Sequence, residues 1–223
     1  NSAFNRDSFI DRLPKFLKQM PTRHMRDAPQ RLREKAAVHP PGIAPLQPPN
    51  APAAGPLHIA WVGRWEHDKN PEAFFAALQQ LQHREVAFRL SVLGEQAIRW
   101  PAVFDQAKAT LAEQIEHWGQ QSPAAYAAAL GQADVVVSTA WHEFFGLAIM
   151  EACSAGCLPV LPQRVVYPEL FPRGAWFYDG SASALTATLH RLANQKASGA
   201  FPQSDAAQAR AIARQYAWPA IAP

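Results

Sequence analysis

The sequence predicts an α/β fold, a Rossmann-like parallel sheet with helices on both faces. Short apolar runs recur along the chain, each bounded by glycine, proline or a charged residue, and stretches long enough for helices separate them. Because a parallel strand is buried on both faces, it forms a nearly continuous apolar run instead of an alternating one. Apolar runs that alternate with helical stretches therefore indicate β-α-β units.

Five of these runs are predicted to be strands. They are LHIAWV (57–62), FRLSVL (88–93), DVVVST (134–139), CLPVLP (157–162) and AWFY (175–178). The stretches predicted to be helical are 71–82, 103–114, 123–131, 147–155 and 182–194. Ligands of such sheets bind beyond the carboxyl ends of the strands, so the residues that follow each strand are the candidates for a binding site.

A separate helix is predicted near the start of the chain, where apolar residues recur at helical spacing. They are Phe9, Leu13, Phe16, Leu17 and Met20. Asn5 or Asp7 is suited to the N-cap, and Pro14 is expected to kink or break the helix. A proline-rich stretch follows and ends in HPPGIAPLQPPNAPAAGP (39–56), which predicts extended chain with little packing.

These patterns divide the chain into four predicted parts. They are the end of a mostly absent N-terminal domain (1–20), an interdomain linker (21–56), a ligand-binding domain (57–200) and a C-terminal helix that crosses back toward the N-terminal domain (201–223). The linker is expected to pack little against the ligand-binding domain. The apolar face of the first helix, with Phe9, Leu13 and Phe16, is expected to be exposed or covered by the C-terminal helix.

The composition is that of a globular protein, with 48% hydrophobic and 17% charged residues among 223. No apolar run reaches the roughly 18 residues of a membrane span, and no charged-then-apolar leader stands at the start, so we expect a cytoplasmic protein with no membrane partner. The net charge of +3 suits an anionic ligand, but it is too small for the dense basic stripe of an RNA-binding module. Cys153 and Cys157 lie in an apolar helical pattern, which predicts buried thiols.

The segment after the first strand, GRWEHDKNPEAFF (63–75), carries two basic residues near its start. Gly63 allows a tight turn, and Arg64 and Lys69 can both lean over the sheet edge, where a guanidinium and an ammonium would hold a diphosphate. A solvated basic loop is the alternative, and this segment alone does not decide between the two. Gly94 and Glu95 follow the second strand and face the same crevice. Trp118 is suited to a purine ring or, more commonly, to core packing.

The segment TAWHEFFGLAIMEACSAG (139–156) carries two glutamates. His142 and Glu143 lie in the turn after a strand, Gly146 permits close approach to a ligand, and the next helix begins with free N–H groups that favour anions. Glu151 lies about one and a half turns into that helix and can reach back toward the same cavity. Because a carboxylate accepts hydrogen bonds from vicinal hydroxyls, the two acids suit two sugars of one nucleotide-sugar. The alternative is a helix-dipole acid at Glu143 and a solvated Glu151.

The E-x7-E spacing in HEFFGLAIME and the GR....K pattern after the first strand resemble the donor-binding half of GT-B glycosyltransferases of family 4. Longer segments resemble one branch, the tRNA-queuosine mannosyltransferases of the glycosyltransferase-like domain-containing 1 group. They are FNRDSFIDRLPKFLKQMP, RWEHDKNPEAFF, SVLGE, HWG, ADVVVSTAWHEFFGLAIMEA, GCLPVLP, VYPELFP and the late YAW. The match covers most of residues 1–180, and packing alone does not require its charged and aromatic letters.

The resemblance implies an enzyme that moves mannose from GDP-mannose to queuosine in the anticodon of an aspartate tRNA, with 57–200 as the donor-binding domain. It implies that Arg64 and Lys69 bind the diphosphate and stabilise the leaving GDP, and that Glu143 binds mannose. Glu151 would bind the ribose. These roles make Arg64, Lys69 and Glu143 the catalytic set. The implied donor-binding residues are Gly63, Arg64, Lys69, Gly94, Glu95, Trp118, His142, Glu143, Phe144, Phe145, Gly146 and Glu151.

The resemblance also implies a two-domain enzyme that needs no metal or other cofactor, in line with the lack of an Asp-x-Asp pair. In such enzymes the active site lies between two Rossmann-like domains. The tRNA acceptor is therefore expected to contact the missing N-terminal domain, and the isolated chain is expected to be inactive. Two alternatives are open: a family 4 transferase with another nucleotide-sugar donor and a lipid or polysaccharide acceptor, and a non-catalytic nucleotide-binding module.

Overall fold

The computed structural model describes residues 1–20, 25, 27–47, 54–96 and 99–221. Within them, six parallel strands form one sheet in the order β3-β2-β1-β4-β5-β6. The strands are β1 (Leu57–Val62), β2 (Phe88–Leu93), β3 (Ile115–Gly119), β4 (Val135–Val137), β5 (Leu158–Pro162) and β6 (Trp176–Tyr178). The order reverses at β1, which pairs with β2 on one side and β4 on the other, so the loops after β1 and β4 open beside each other. The predicted α/β fold is confirmed.

Helices cover both faces of the sheet. They are α1 (Ala3–Leu17), α2 (Ala28–Lys35), α3 (Pro71–His83), α4 (Val103–Thr110), α5 (Pro123–Gln132), α6 (Leu147–Ala155), α7 (Tyr167–Leu170), α8 (Ala182–Ala197), α9 (Gln203–Arg214) and α10 (Trp218–Ile221). Side chains of β1 alternate between two cores: Ile59 and Trp61 join the core under α3 and α8, whereas Ala60 joins the core under α6 and α9. No helix of the described residues is long and apolar enough to cross a membrane.

The start of α1 differs from its prediction. Ser2 is the N-cap, since its hydroxyl accepts a hydrogen bond from the Asn5 amide at 3.1 Å, so the expectation of Asn5 or Asp7 at that position is wrong. Pro14 lies within the helix, which continues to Leu17, so it does not break the helix. The helix start is fixed to the main domain, because the Glu169 carboxylate accepts hydrogen bonds from the first amides of α1.

The apolar face of α1 is largely open to solvent. Phe9 is 60% exposed and Phe16 is 56% exposed, which confirms the expectation for these two side chains. Ile10 lies about 100° around the helix from Phe9 and is buried. The C-terminal region contains two helices where one was predicted, and Ala209 and Ala213 of α9 are buried in the core beside α6.

Part of the predicted linker is ordered and packed. Ile43 is buried, its amide donates to the Tyr216 carbonyl at 2.8 Å, and its carbonyl accepts from the Trp218 amide at 3.2 Å. The Leu46 amide donates to the Ser154 hydroxyl at 2.8 Å. The expectation of little packing is therefore wrong for this part of the stretch. No sequence pattern indicates this packing, because a single buried isoleucine among prolines forms no apolar periodicity. Residues 21–24, 26 and 48–53 of this stretch lie outside the described residues, and the domain division stays a prediction.

Candidate functional site

Lys69 and Glu143 meet at the carboxyl edge of the sheet, between β1 and β4. The Lys69 Nζ lies 3.3 Å from Glu143 Oε2 and donates to the His142 carbonyl at 3.2 Å. The side chains are 17% and 20% exposed, so solvent screens this ion pair less than it screens a surface pair. Both side chains line a small cavity. Its wall also includes Trp61, Ser138, Thr139, Gly146, Ile149 and Tyr167.

The Glu143 carboxylate is held by the turn that carries it. Its Oε1 accepts hydrogen bonds from the amides of Phe144 and Gly146, both at 3.0 Å, and a longer one from Phe145 at 3.4 Å. The resemblance implies that these three residues bind the donor, and here their amides bind Glu143 itself. Gly146 has a φ of 84°, which favours glycine and lets the chain turn directly into α6. The acid is therefore fixed at the start of a helix, where negative charge is stabilised.

Backbone contacts tie the loop after β1 to the loop after β4. The buried Thr139 hydroxyl donates to the Lys69 carbonyl at 2.7 Å, and the Trp141 amide donates to the Asp68 carbonyl at 2.8 Å. Arg164 also stabilises the loop after β4. Its guanidinium donates to the Thr139 carbonyl at 2.8 Å and lies 3.8 Å from the centroid of the Trp141 ring. Partial burial lowers the pKa of Arg164 from its usual value. These contacts set the position of Lys69 relative to Glu143.

Arg64 and Glu151 do not line the cavity. The Arg64 guanidinium pairs with Glu66 at 2.9 Å, and its side chain is 63% exposed. Glu151 Oε2 accepts a hydrogen bond from the Tyr126 hydroxyl at 2.8 Å. The sequence predicts that Arg64, Lys69, Glu143 and Glu151 converge on one cavity. Lys69 and Glu143 do so, whereas in this structure Arg64 and Glu151 do not. Their roles toward a donor remain predictions.

Gly94 has a structural reason for its identity, whereas a Cβ at Gly63 would make only ordinary contacts, at 3.7 Å or more. The Gly63 amide donates to the Leu93 carbonyl at 3.0 Å, and a Cβ added to Gly94 would overlap the Gly63 carbonyl oxygen. The loop after β2 can therefore lie this close to the loop after β1 only because Gly94 carries no side chain. The neighbouring Glu95 is exposed, and its carbonyl accepts from the Trp65 amide at 3.0 Å.

The Trp118 ring belongs to an aromatic cluster. Its centroid lies 5.4 Å from that of Trp65, 6.0 Å from Phe75 and 6.4 Å from Phe104. Edge and tilted contacts of this kind are those of core aromatics, so packing accounts for Trp118. Its proposed place beside a purine stays untested.

His142 and Phe144 face one groove, whereas Phe145 points into the core. His142 and the exposed Phe144 line a groove of about 470 Å³ between α1 and residues 141–144. Phe145 is buried, with its ring centroid 5.1 Å from that of Tyr216. Glu143 lines both this groove and the small cavity, so the two spaces adjoin at that carboxylate.

Sequence reasoning missed several residues of the cavity wall. The buried Tyr167 shares a hydrogen bond of 2.7 Å with the Ser138 hydroxyl, and burial raises its pKa. Ser138 and Thr139 belong to the predicted strand 134–139, but β4 ends at Val137, so both residues follow it directly at the edge where ligands bind. Tyr167 comes from α7, for which no sequence rule gave a signal.

Cys153 and Cys157 are both buried, which confirms the predicted buried thiols. Among the described residues no group of three His, Cys, Asp or Glu side chains is placed to hold a metal ion. The expectation that the protein uses no metal stays a prediction.

Comparisons with known proteins identify the family to which the chain belongs. Residues 46–214 match the family described as glycosyl transferases group 1. The chain is 32% identical over 203 residues to the tRNA-queuosine alpha-mannosyltransferase of Drosophila melanogaster, covering 86% of this chain and 53% of that protein. A glycogen synthase of Mycobacterium tuberculosis is 32% identical over 106 residues, which are 47% of this chain and 25% of the synthase. The chain thus spans about half the length, or less, of these curated relatives.

Solved structures share the fold. Sucrose-phosphate synthase from Thermosynechococcus elongatus superposes with a TM-score of 0.70 at 20% identity, covering 88% of this chain and 54% of that one. The C-terminal domain of a glycosyl transferase group 1 protein from Francisella tularensis superposes with a TM-score of 0.63 at 16% identity. That alignment covers 77% of this chain and 96% of the other, so the fold is that of such a C-terminal domain. From the matched residues and the relative's identity together, the chain belongs to the glycosyl transferases group 1 family.

Proposed function

We propose that the chain is the donor-binding part of a cytoplasmic, metal-independent, retaining glycosyltransferase. In this proposal the whole enzyme transfers mannose from GDP-mannose to queuosine in the anticodon of aspartate tRNA. The observation that carries it is the shielded Lys69–Glu143 pair in a cavity at the carboxyl edge of the sheet. The similarity to the Drosophila tRNA-queuosine alpha-mannosyltransferase supports mannose and queuosine. Acceptor contacts belong, in this proposal, to a further domain.

The charges at the site suit the departure of a nucleoside diphosphate. The Lys69 ammonium would neutralise charge on the diphosphate as it leaves, and Arg64 would exchange its surface partner Glu66 for a phosphate oxygen. Glu143, held by its own turn, would accept hydrogen bonds from sugar hydroxyls through the oxygen that now faces Lys69. The acceptor hydroxyl would attack from the face that the diphosphate leaves, so the reaction requires no protein nucleophile.

A second candidate is a transferase of the same family with a UDP-sugar donor and a polysaccharide or lipid acceptor. Two observations favour it. Part of the chain matches a glycogen synthase, and a pneumococcal O-GlcNAc transferase in complex with UDP and GlcNAc superposes with a TM-score of 0.65 at 14% identity. That alignment covers 81% of this chain and 36% of the transferase.

A thermal-shift panel of GDP, UDP, GDP-mannose and UDP-glucose tests the proposal. A ligand at 100 times its dissociation constant adds about 2.7 kcal/mol, which raises the Tm of a domain of this size by several degrees, on the order of 5–10 °C. We expect shifts with the two guanosine ligands only. Shifts with the uridine ligands only would favour the second candidate, and no shift with any of the four would contradict a donor site. Lys69→Met, which keeps an unbranched side chain of nearly the same length and removes the charge, should reduce the shift.

A further inference from the structure

Tyr126 of α5 and Glu151 of α6 are joined by a hydrogen bond across two helices. The phenol donates to Glu151 Oε2 at 2.8 Å, and both residues are half-buried. The residues that flank Glu151 on α6, Met150 and Ala152, are fully buried. Glu151 is therefore a charged residue between buried neighbours, and the hydrogen bond from the Tyr126 phenol fixes the orientation of its carboxylate.

The bond has a fixed sense. Burial, together with the neighbouring carboxylate, raises the pKa of Tyr126, so the phenol keeps its proton and acts as the donor. Glu151 Oε2 therefore accepts the hydrogen bond that the phenol donates. Glu151 Oε1 accepts no hydrogen bond within the described residues, which leaves it available to an outside donor.

Glu151 does not line the small cavity, but a neighbouring residue of the same helix does. Ala148, three residues earlier on α6, lines that cavity together with Lys69 and Glu143. Residues three apart are neighbours on a helix surface, so Glu151 lies next to Ala148 on the surface of α6. A ligand with its diphosphate at Lys69 would extend past Ala148 toward this carboxylate.

We propose that Tyr126 is a positioning residue, which holds one oxygen of Glu151 so that the other is presented to the ribose diol of the donor nucleotide. The inference rests on the proposed donor site and adds to it a residue that touches no substrate. A simple tie between α5 and α6 would give the same hydrogen bond. The two roles differ in one respect: a tie stabilises the fold whatever the ligand, whereas a positioning residue affects only ligands that carry the diol.

The test measures ribose preference in the full 223-residue chain. Calorimetric titration with GDP and with 2′,3′-dideoxy-GDP gives the ratio of the two affinities for the wild type, Tyr126→Phe and Ser122→Ala. UDP and its dideoxy form replace them if the thermal panel favours uridine. Ser122 is the matched control, because its hydroxyl caps α5 by accepting from the Ala125 amide at 3.3 Å and its removal loosens the same helix without touching Glu151.

We expect the wild type to prefer the ribose form by about tenfold, as a charge-assisted hydrogen bond to the diol provides. Tyr126→Phe should lower this ratio to about threefold or less and leave dideoxy binding within about twofold, whereas Ser122→Ala should keep the ratio. In a Glu151→Gln background, Tyr126→Phe should have no further effect on the ratio.

Three results would overturn the inference. An unchanged ratio in Tyr126→Phe, or an equal loss of affinity for both ligands, would show that Tyr126 only ties the helices. A wild type that binds nucleotide without ribose preference would leave the donor site standing and remove this role. A wild type that binds no nucleoside diphosphate would instead contradict the proposed function, and the inference would fall with it.

Discussion

The Lys69 ammonium and the Glu143 carboxylate face each other at 3.3 Å across the two loops that follow β1 and β4. Glu143 therefore competes with any anionic ligand for Lys69. We expect Glu143→Gln, which relieves this competition, to bind GDP at least as tightly as the wild type. The variant should lose the additional affinity of GDP-mannose over GDP, because the amide is a weaker acceptor for sugar hydroxyls than the carboxylate. Calorimetric titration of the wild type and the variant with GDP and with GDP-mannose measures both affinities.

Glu151→Gln is the contrasting variant, since it alters the carboxylate assigned to the ribose. It should weaken GDP itself by about 1–3 kcal/mol while the increment for mannose persists. Equal losses of GDP affinity in the two variants would show that the acids do not divide the donor between sugar and nucleotide.

Gly94→Ala should destabilise the fold strongly. A Cβ at this position would overlap the Gly63 carbonyl, and the φ of 146° is rarely adopted by other residues. We expect a loss of about 3 kcal/mol or more in the free energy of unfolding, measured by urea denaturation. Gly199→Ala is the matched control, with a φ of 75° and open space around it, and should cost about 1 kcal/mol. Similar losses would mean that the two loops can separate at little cost.

His58 makes stability depend on pH. Burial, and secondarily the charge of Arg89, lowers the pKa of His58 to about 4, and its Nε2 lies 2.8 Å from the Ser91 hydroxyl. Since the folded pKa lies below the unfolded value of about 6.5, the unfolded chain takes up the proton first as the pH falls. The stabilisation is complete above pH 6.5 and is lost between pH 6.5 and 4. It amounts to about 3 kcal/mol.

Urea titrations of the wild type and His58→Gln at several pH values isolate this contribution from that of the carboxylates. The gap in unfolding free energy between the two proteins should narrow as the pH falls from 6.5 to 4. A constant gap would show that His58 does not titrate in this range. Asp134 and His117 also face the ring, the first favouring and the second opposing its protonation, so both should be left unchanged.

The exposed face of α1 should contribute little to the stability of this chain. Phe9→Ser and Phe16→Ser are expected to change the free energy of unfolding by less than about 0.5 kcal/mol, because both rings lie largely in solvent. Ile10→Ser, at a position only 2% exposed, should cost about 3 kcal/mol. A large loss for the phenylalanines would reveal that this face is covered in solution.

The sheet was predictable where strands are apolar on both faces. The five predicted strands are present, each with ends within two residues of the prediction. β3 was missed because it is the edge strand, with Glu116 exposed and His117 half-buried, and so it lacks the apolar run that marks a central strand. Helix ends were predicted less accurately than strand ends. The helix predicted at 103–114 ends at Thr110, and a short 3₁₀ turn follows it.

The candidate site was predictable only in part. Lys69 follows β1 and Glu143 follows β4, and these two strands pair at the centre of the sheet, so the position after a strand end places the two residues together. The partner of Glu151 was not predictable, because Tyr126 precedes it by 25 residues on another helix and the contact depends on how α5 and α6 pack. The ion pair of Arg64 with Glu66 depends on a side-chain rotamer, which no spacing determines.

The two buried cysteines allow the local unfolding of α6 to be measured by thiol labelling. Cys153 and Cys157 lie in and directly after α6, and burial raises the pKa of both thiols, so neither reacts while the helix stays packed. The rate of thiol labelling then measures the free energy of exposing α6, without any attached probe. Because α6 begins at the turn of Glu143, a ligand that binds there must slow the labelling by the factor by which it stabilises the closed form.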